Sequence, residues 1–560
     1  MTPGPQAPHL REPAPRALLA SASVAVALAA ADTYVVVLAL TDMMAGVGVG
    51  IDALQRATPI ISGFLLGYVA VLPLIGRLAD LTSRQRVLLS CLAVFVVGSI
   101  VTALASDLGV LVAGRVIQGV GGGGLVPATL AIVADLWPAD RRGLPLGIVG
   151  AVQELGSVLG PLLGALLLAV ADWRWIFWLN ALAGVVLTAV VVRTGGGMPW
   201  RLRAGPLALA VVGLAVLTLA LAAPEALTTS VALGGPFVPF GSATSVLLTP
   251  IGVLGLVLTS GALLWWLASA REVLRRADLL GAVLIGTALA GVILTFAAAE
   301  PEKEVVGPLG YVLLPVAGLA VLAYLIHHRR AADPLVPRGL LRGRAVAALV
   351  VSLAVGVALV AVVVDVPLMA RLVHDTSETG AALVLLRFLV AVPVGALAGG
   401  WLLRWLGDGP VAAVGLLGAG LGLALMSVWG RGSLATPASV LVLALVGLGV
   451  GLALAPVNNA ALAHAPEAAH ATISALVVVA RMIGMVVGLA LLTAIGLHQY
   501  YGAVAALPDP TDTTALVDAA LVQVHWVFRG AALAAVLGAA TALTLGRRPR
   551  RGAAAAGIGH

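Results

Sequence analysis

The chain has 560 residues, 61% hydrophobic and 10% charged, with mean hydropathy +1.10 and a formal net charge of +7. A soluble domain carries about 25% charged residues, so this composition excludes a soluble globular enzyme, a disordered chain and a coiled coil. The single cysteine, Cys91, excludes an intrachain disulfide and any multi-cysteine metal site.

Apolar runs fall, in chain order, at 17–40, 59–75, 87–105, 109–133, 143–170, 175–193, 205–223, 249–269, 279–298, 309–326, 345–366, 381–403, 411–428, 437–462, 472–497 and 525–546. Each is long enough for a membrane-crossing helix, which needs about 20 apolar residues. The runs predict sixteen spans in an all-α integral membrane protein. Arg11 and Arg16 before the first run imitate a signal peptide. That run continues past Asp32 to Leu40, too long for a signal segment, and is read as a span.

Of the 32 basic residues, 31 are Arg. With the N-terminus inside, the inner segments hold 23 of them, from Arg11 and Arg16 to Arg547, Arg548, Arg550 and Arg551. The outer segments hold only Arg56, Arg174, Lys303, Arg371 and Arg431. This asymmetry is the positive-inside pattern and predicts that both termini are cytoplasmic. It also argues against a nucleic-acid-binding face.

The chain repeats itself weakly. Pro138, Gly156 and Gly160 find counterparts 328 residues on in Pro466, Gly484 and Gly488; Gly76 and Leu78 find Gly400 and Leu402 at 324. The repeat predicts two six-span bundles, 17–193 and 345–546. A linker with four spans, 194–344, separates them, and cytoplasmic tails lie at 1–16 and 547–560. Parallel halves with a site at their interface are one transporter design.

Polar groups inside the spans are candidates for function, because burying them in lipid is costly. Asp32 lies toward the outer half of span 1. Desolvation disfavours its anion, so such a group could take up and release protons; the alternative is a solvated interfacial acid. Glu154 in span 5 and Arg481 in span 15 sit at comparable depth, since Gln153 occupies the repeat position of Arg481. They are expected to pair across a central cavity; otherwise each is satisfied within its own half. Arg115 and Gln118 share a face of span 4. Arg115 could partner Asp32, hold backbone carbonyls, or reach the outer surface. Arg387 and Arg529 lie nearer span ends, where snorkelling is expected, and Asp365 is at the outer end of span 11.

Gly156, Gly160 with Pro161, and Gly164 form a smooth stripe that lets a neighbouring helix approach closely. Pro161 removes a helical hydrogen bond and permits a bend. The run Gly119 to Gly124 matches a dinucleotide fingerprint literally, but it lies inside a span with no βαβ unit around it. No Walker sequence and no His ligand spacing are present.

On these residues the chain resembles the major facilitator superfamily. Gly76-Arg-Leu-Ala-Asp80-Leu-Thr-Ser83-Arg84 is similar to its loop signature, with Ser83 in place of the usual second glycine. Arg115-Val-Ile-Gln118-Gly119 is similar to its span-4 signature, and Gly156 to Gly164 to its antiporter signature. In the second half Arg404 stands where the loop signature has its acid. Longer strings, Asp32 to Val37, Gln153 to Leu162, Asp172-Trp-Arg174 and Val477 to Met485, resemble the drug:proton antiporter branch, normally of fourteen spans, and within it the mycobacterial triacylglyceride and multidrug exporters. The resemblance implies the major facilitator fold, with spans 9 and 10 as the usual linker and spans 7 and 8 as an extra hairpin at 205–269. It implies proton coupling at Asp32, an interdomain salt bridge between Glu154 and Arg481, and a gating loop at Gly76, Asp80 and Arg84.

The expectation is therefore a proton-coupled exporter of lipid or amphiphilic drug-like substrates in a bacterial inner membrane. Membrane lipids would surround it, and Arg115, Gln118 and Gln153 would line its cavity. The proton gradient would supply the energy, with no cofactor, metal or nucleic acid. The long outer segment 498–524 could pass lipid to a periplasmic carrier lipoprotein, or be a simple loop. Proton-coupled import of a small solute is the alternative, with a non-transporting receptor or scaffold a third reading.

Overall fold

The computed structural model describes residues 15–49, 54–197, 204–230, 233–241, 245–297, 306, 309–374, 378–509 and 512–546. Both expected tails, save residues 15 and 16 and including Arg11, lie outside the described residues, as do Arg201, Arg203 and Lys303. The described residues form helices and loops, with no strand among them. Sixteen segments are long and apolar enough to cross a membrane, the number the apolar runs predicted.

Packing divides the chain into two compact units. The first comprises Met1–Ile132, Gly156–Ala298 and Leu309–Pro337; the second comprises Val133–Leu155, Ala299–Pro308 and Arg338–His560. The helices are α1 Pro15–Gly46, α2 Leu54–Ala70, α3 Leu72–Leu81, α4 Arg84–Ala103, α5 Leu108–Leu136, α6 Gly143–Val170, α7 Arg174–Thr194, α8 Ala204–Ala222, α9 Glu225–Thr228, α10 Pro250–Ser269, α11 Arg271–Arg276, α12 Leu279–Ala297 and α13 Gly310–Arg330. They continue as α14 Arg344–His374, α15 Glu378–Leu389, α16 Ala391–Leu406, α17 Asp408–Met426, α18 Pro437–His464, α19 His470–Ala505 and α20 Thr513–Ala542. One span is broken into α2 and α3 at Val71, where Pro73 supplies no N–H to continue the helical ladder.

In the first unit the glycine run of α5 is a packing surface. Gly119 and Gly123 lie against the backbone of Phe64 and Tyr68 on α2, while Gly121 faces Phe95 on α4. A side chain at these positions would force the helices apart. The second unit repeats the device. Gly447 and Gly451 on α18 face Phe388 and Val392, and Gly449 faces Gly415 on α17. The faint sequence repeat is thus a repeat of helix contacts.

The extra hairpin, α8 with α10, packs mainly on itself and leaves Val211, Val212, Leu263 and Leu264 exposed. The end that carries Leu221 and Leu247 is anchored. Leu217 and Leu221 are buried in one apolar cluster with Met43, Met44, Val110, Trp173 and Phe177, and Leu247 packs against it. The Ser245 hydroxyl donates to Asp107 at 2.9 Å. The linker helix α12 packs on α2 and α3.

Candidate functional site

Three helices of the first unit converge on Asp32. Helix α1 presents its carboxylate, α5 presents Arg115 and Gln118 one turn apart, and α7 presents Asn180. Asp32 and Arg115 are each 1% exposed. Arg115 Nη1 donates to Asp32 Oδ2 at 2.6 Å and to Gln118 Oε1 at 2.6 Å. Gln118 Nε2 donates to Asp32 Oδ1 at 2.9 Å, and Asn180 Nδ2 donates to the same oxygen at 2.6 Å. Gln118 Nε2 also donates to Ser99 Oγ on α4 at 3.0 Å. Arg115 Nε reaches the Ile60 carbonyl at 3.4 Å, and its guanidinium lies 4.4 Å from the centre of the Phe64 ring.

Of the alternatives open for Arg115, the geometry selects Asp32, with a backbone carbonyl as a second partner. Every donor around Asp32 suits a carboxylate, which can only accept. A protonated Asp32 would have to donate, whereas Arg115, Gln118 and Asn180 all meet it with N–H donors. Asn180, Ser99 and Phe64 were not singled out from the sequence. Asn180 carried a signal, since it is one of only three asparagines in the chain and lies in an apolar span.

The second polar centre lies in the second unit, which includes the first part of α6. Arg481 Nη1 of α19 is 3.7 Å from Glu154 Oε1, and Gln153 Nε2 donates to the same oxygen at 3.4 Å. Both charged side chains are about nine-tenths buried, 10% and 11% exposed. The separation makes this a charge pair beyond ordinary hydrogen-bond length. Nearby, Gly143 and Gly147 let α6 cross α16 at Gly400 and Ala396.

The glycine stripe occupies the remainder of α6, in the first unit. Gly156, Gly160 and Gly164 face Ala27, Ala31 and Val35 on α1, matching one turn per step. The counterpart contact in the second unit sets Gly484 and Gly488 of α19 against Leu353 and Val357 of α14. Pro161 lies inside α6 without ending it.

In the loop signature Gly76 is buried on α3 and Asp80 lies 3.9 Å from Arg84. In the second half Arg404 stacks on Trp401 and Trp405, and Asp408 accepts from Asn459 at 2.8 Å. Arg387 does not simply snorkel: it donates to the Leu434 carbonyl and to Ser439 Oγ. Arg529 lies over the Trp526 ring. Asp365 is 1% exposed, and its Oδ2 has no hydrogen-bond partner among the described residues.

Comparison with known proteins agrees with these signatures. The sequence profile of the Major Facilitator Superfamily matches residues 22–270 and 279–489. A triacylglyceride transporter of Mycobacteroides abscessus is 34% identical over 518 residues, covering 89% of this chain and 87% of that protein. One of Mycolicibacterium hassiacum is 36% identical over 494 residues, covering 86% and 79%. One of Mycobacterium tuberculosis is 35% identical over 509 residues, covering 88% and 85%. The fold is similar to that of a major facilitator proton:xylose symporter, with a TM-score of 0.56 at 13% identity over 94% of each chain. It is also similar to a human organic anion transporter, with a TM-score of 0.55 at 16% identity over 94% of this chain and all of that one. This multi-pass membrane protein is a transporter rather than an enzyme, and it belongs to the major facilitator superfamily.

Proposed function

We infer that the chain is a proton-driven exporter that exchanges protons for a neutral lipid of the triacylglyceride class, or a similarly amphiphilic molecule, by alternating access. The substrate class follows the names of the mycobacterial relatives. The buried ion pair of Asp32 and Arg115 carries the coupling half of the reading. A proton on Asp32 would cancel its charge and leave Arg115 as an uncompensated buried cation. Breaking such a pair costs about 3–5 kcal/mol, enough to favour a different packing of α1 against α5 and α7. A single charge crossing 100 mV supplies about 2.3 kcal/mol toward the cycle.

Helix α6 offers the mechanical link. Its glycine stripe seats α1 beside the Asp32 cluster, and its other part carries Glu154 toward Arg481. A shift of α1 on protonation would act on α6 through that seam and loosen the Glu154–Arg481 pair. The gating loop at Gly76, Asp80 and Arg84 would accompany this movement. In this reading the two six-helix bundles, 17–193 and 345–546, are the moving bodies. The protein sits in a bacterial inner membrane with both termini in the cytoplasm, and the proton gradient replaces any cofactor. The segment 498–524, carried by the ends of α19 and α20, would hand lipid to an outer acceptor such as a carrier lipoprotein.

The test is reconstitution into liposomes under an imposed pH gradient, with labelled triacylglycerol and a cationic dye as parallel substrates. Gradient-dependent movement of triacylglycerol, abolished by an uncoupler, is expected. Movement of the dye alone would assign a drug rather than a lipid. Transport of both indifferent to the gradient would refute the coupling.

A further inference from the structure

The inner ends of the linker helices hold basic side chains that the transport cycle above does not use. Helix α10 carries Trp265 and Trp266, 48% and 51% exposed, near its end at Ser269, and turns at Ala270 into the six-residue α11. Within α11, Val273 and Leu274 are half-buried while Arg271, Arg275 and Arg276 are exposed. The next turn is built on Asp278, a non-glycine residue in the left-handed region at φ 53°.

That conformation is clasped from three sides. Asp278 Oδ1 accepts the Gly281 N–H at 3.0 Å and lies 2.6 Å from His327 Nε2, and Oδ2 accepts the Leu335 N–H at 2.8 Å. The clasp brings the end of α11 to the end of α13, where Arg329 and Arg330 are exposed and His328 turns back onto Tyr324. The acids nearby in sequence are Glu272, which pairs with Arg276 at 3.1 Å, and the exposed Asp333. Among the described residues, Arg271, Arg275 and Arg330 form no ion pair.

Around this basic patch the helix flanks are apolar and exposed, at Leu263 and Leu264 on α10 and at Leu322, Leu325 and Ile326 on α13. Side-by-side tryptophans mark the depth of a headgroup layer. Arginine forks match phosphate geometry, and basic clusters just inside a membrane helix attract anionic lipid. We propose that the inner ends of α10, α11 and α13 form a binding site for the headgroup of an anionic glycerophospholipid of the cytoplasmic leaflet, held by Arg271, Arg275 and Arg330. The proposal rests on the orientation read from the arginine distribution. Its consequence is local: α11 and α12 both pack on α3, which carries the loop from Gly76 to Asp80. Occupancy would therefore bias the gating loop.

Native mass spectrometry of the detergent-purified protein, with phosphatidylglycerol added, tests this directly. The charge-keeping variant Arg275→Lys with Arg330→Lys should hold the lipid, whereas Arg275→Gln with Arg330→Gln should bind it about fivefold more weakly per arginine removed. Removing two charges elsewhere, Arg16→Gln with Arg141→Gln, should leave binding unchanged. Equal loss in that control, or full binding by the Gln variant, would overturn the proposal. So would displacement of the lipid by inorganic phosphate alone, which would assign the site to soluble anions. Each outcome is independent of whether Asp32 couples protons.

Discussion

The Asp32–Arg115 pair invites a double-mutant cycle. Asp32→Asn leaves Arg115 with Gln118 Oε1, the Ile60 carbonyl and the Phe64 ring, but without a counter-charge. Partial compensation places its cost at the low end of the range for breaking a buried pair, about 3 kcal/mol. Arg115→Met leaves the Asp32 carboxylate with the amides of Gln118 and Asn180 but uncompensated, at about 3–5 kcal/mol. The double variant has no charge left to orphan, and its two side chains fill similar volume. It should unfold within about 1 kcal/mol of the parent, because neutral replacements of buried pairs are often nearly free. The two losses should therefore fall short of additivity by about 5 kcal/mol or more. The assay is reversible unfolding in mixed micelles, followed by intrinsic tryptophan fluorescence. Losses that add to within about 0.5 kcal/mol would mean the two groups do not depend on each other, and would refute the reasoning.

Other outcomes follow from the same geometry. Glu154→Gln or Arg481→Gln should reduce transport by tenfold or more, and the swap Glu154→Arg with Arg481→Glu should restore part of it; single variants as active as the parent would dismiss the pair. At Gly160 a Cβ would stand 2.9 Å from Ala31 Cα. Gly160→Leu should therefore cost about 1–3 kcal/mol of stability by overpacking and reduce transport further than Gly318→Leu, whose site is open. Burial pushes the Asp278 carboxyl up, but the Gly281 N–H, His327 and the Leu335 N–H outweigh it and hold the group below its usual range. Its stabilisation is thus present above the ordinary aspartate value near pH 4 and is lost as pH falls through the depressed one. Asp278→Asn should remove that acid-side loss from a thermal-unfolding profile, and an unchanged profile would contradict the clasp.

Much of the architecture was legible because each span must be apolar over its own length. Sixteen runs became sixteen candidate spans, and the offsets near 328 became equivalent helix contacts at Gly156 and Gly484. The polar centres were legible in part. Asp32, Arg115, Glu154 and Arg481 stood out because lipid makes charge expensive. The repeat already points Glu154 at Arg481, and Asp32 is one of three partners open to Arg115; the neutral partners depended on which faces meet, and local sequence does not carry that information. Asn180 and Ser99 join Asp32 and Gln118 only because α4, α5 and α7 converge there. The run Gly119 to Gly124 looked like a misplaced nucleotide motif until its backbone contacts gave it a role. The sequence assigns the hairpin 205–269 no role; one of its ends is tied down by Leu217, Leu221 and Ser245, since apolar residues alone do not reveal which of them face protein.

The central claim is that Asp32 couples proton movement to export, and counting protons tests it most directly. Proteoliposomes holding the parent or Asp32→Asn would be given substrate in weak buffer, with pH followed by an internal dye. The parent should move protons whenever substrate moves. Asp32→Asn should move none and lose gradient-driven transport, while still letting substrate equilibrate downhill. Proton movement by Asp32→Asn equal to that of the parent would contradict the account.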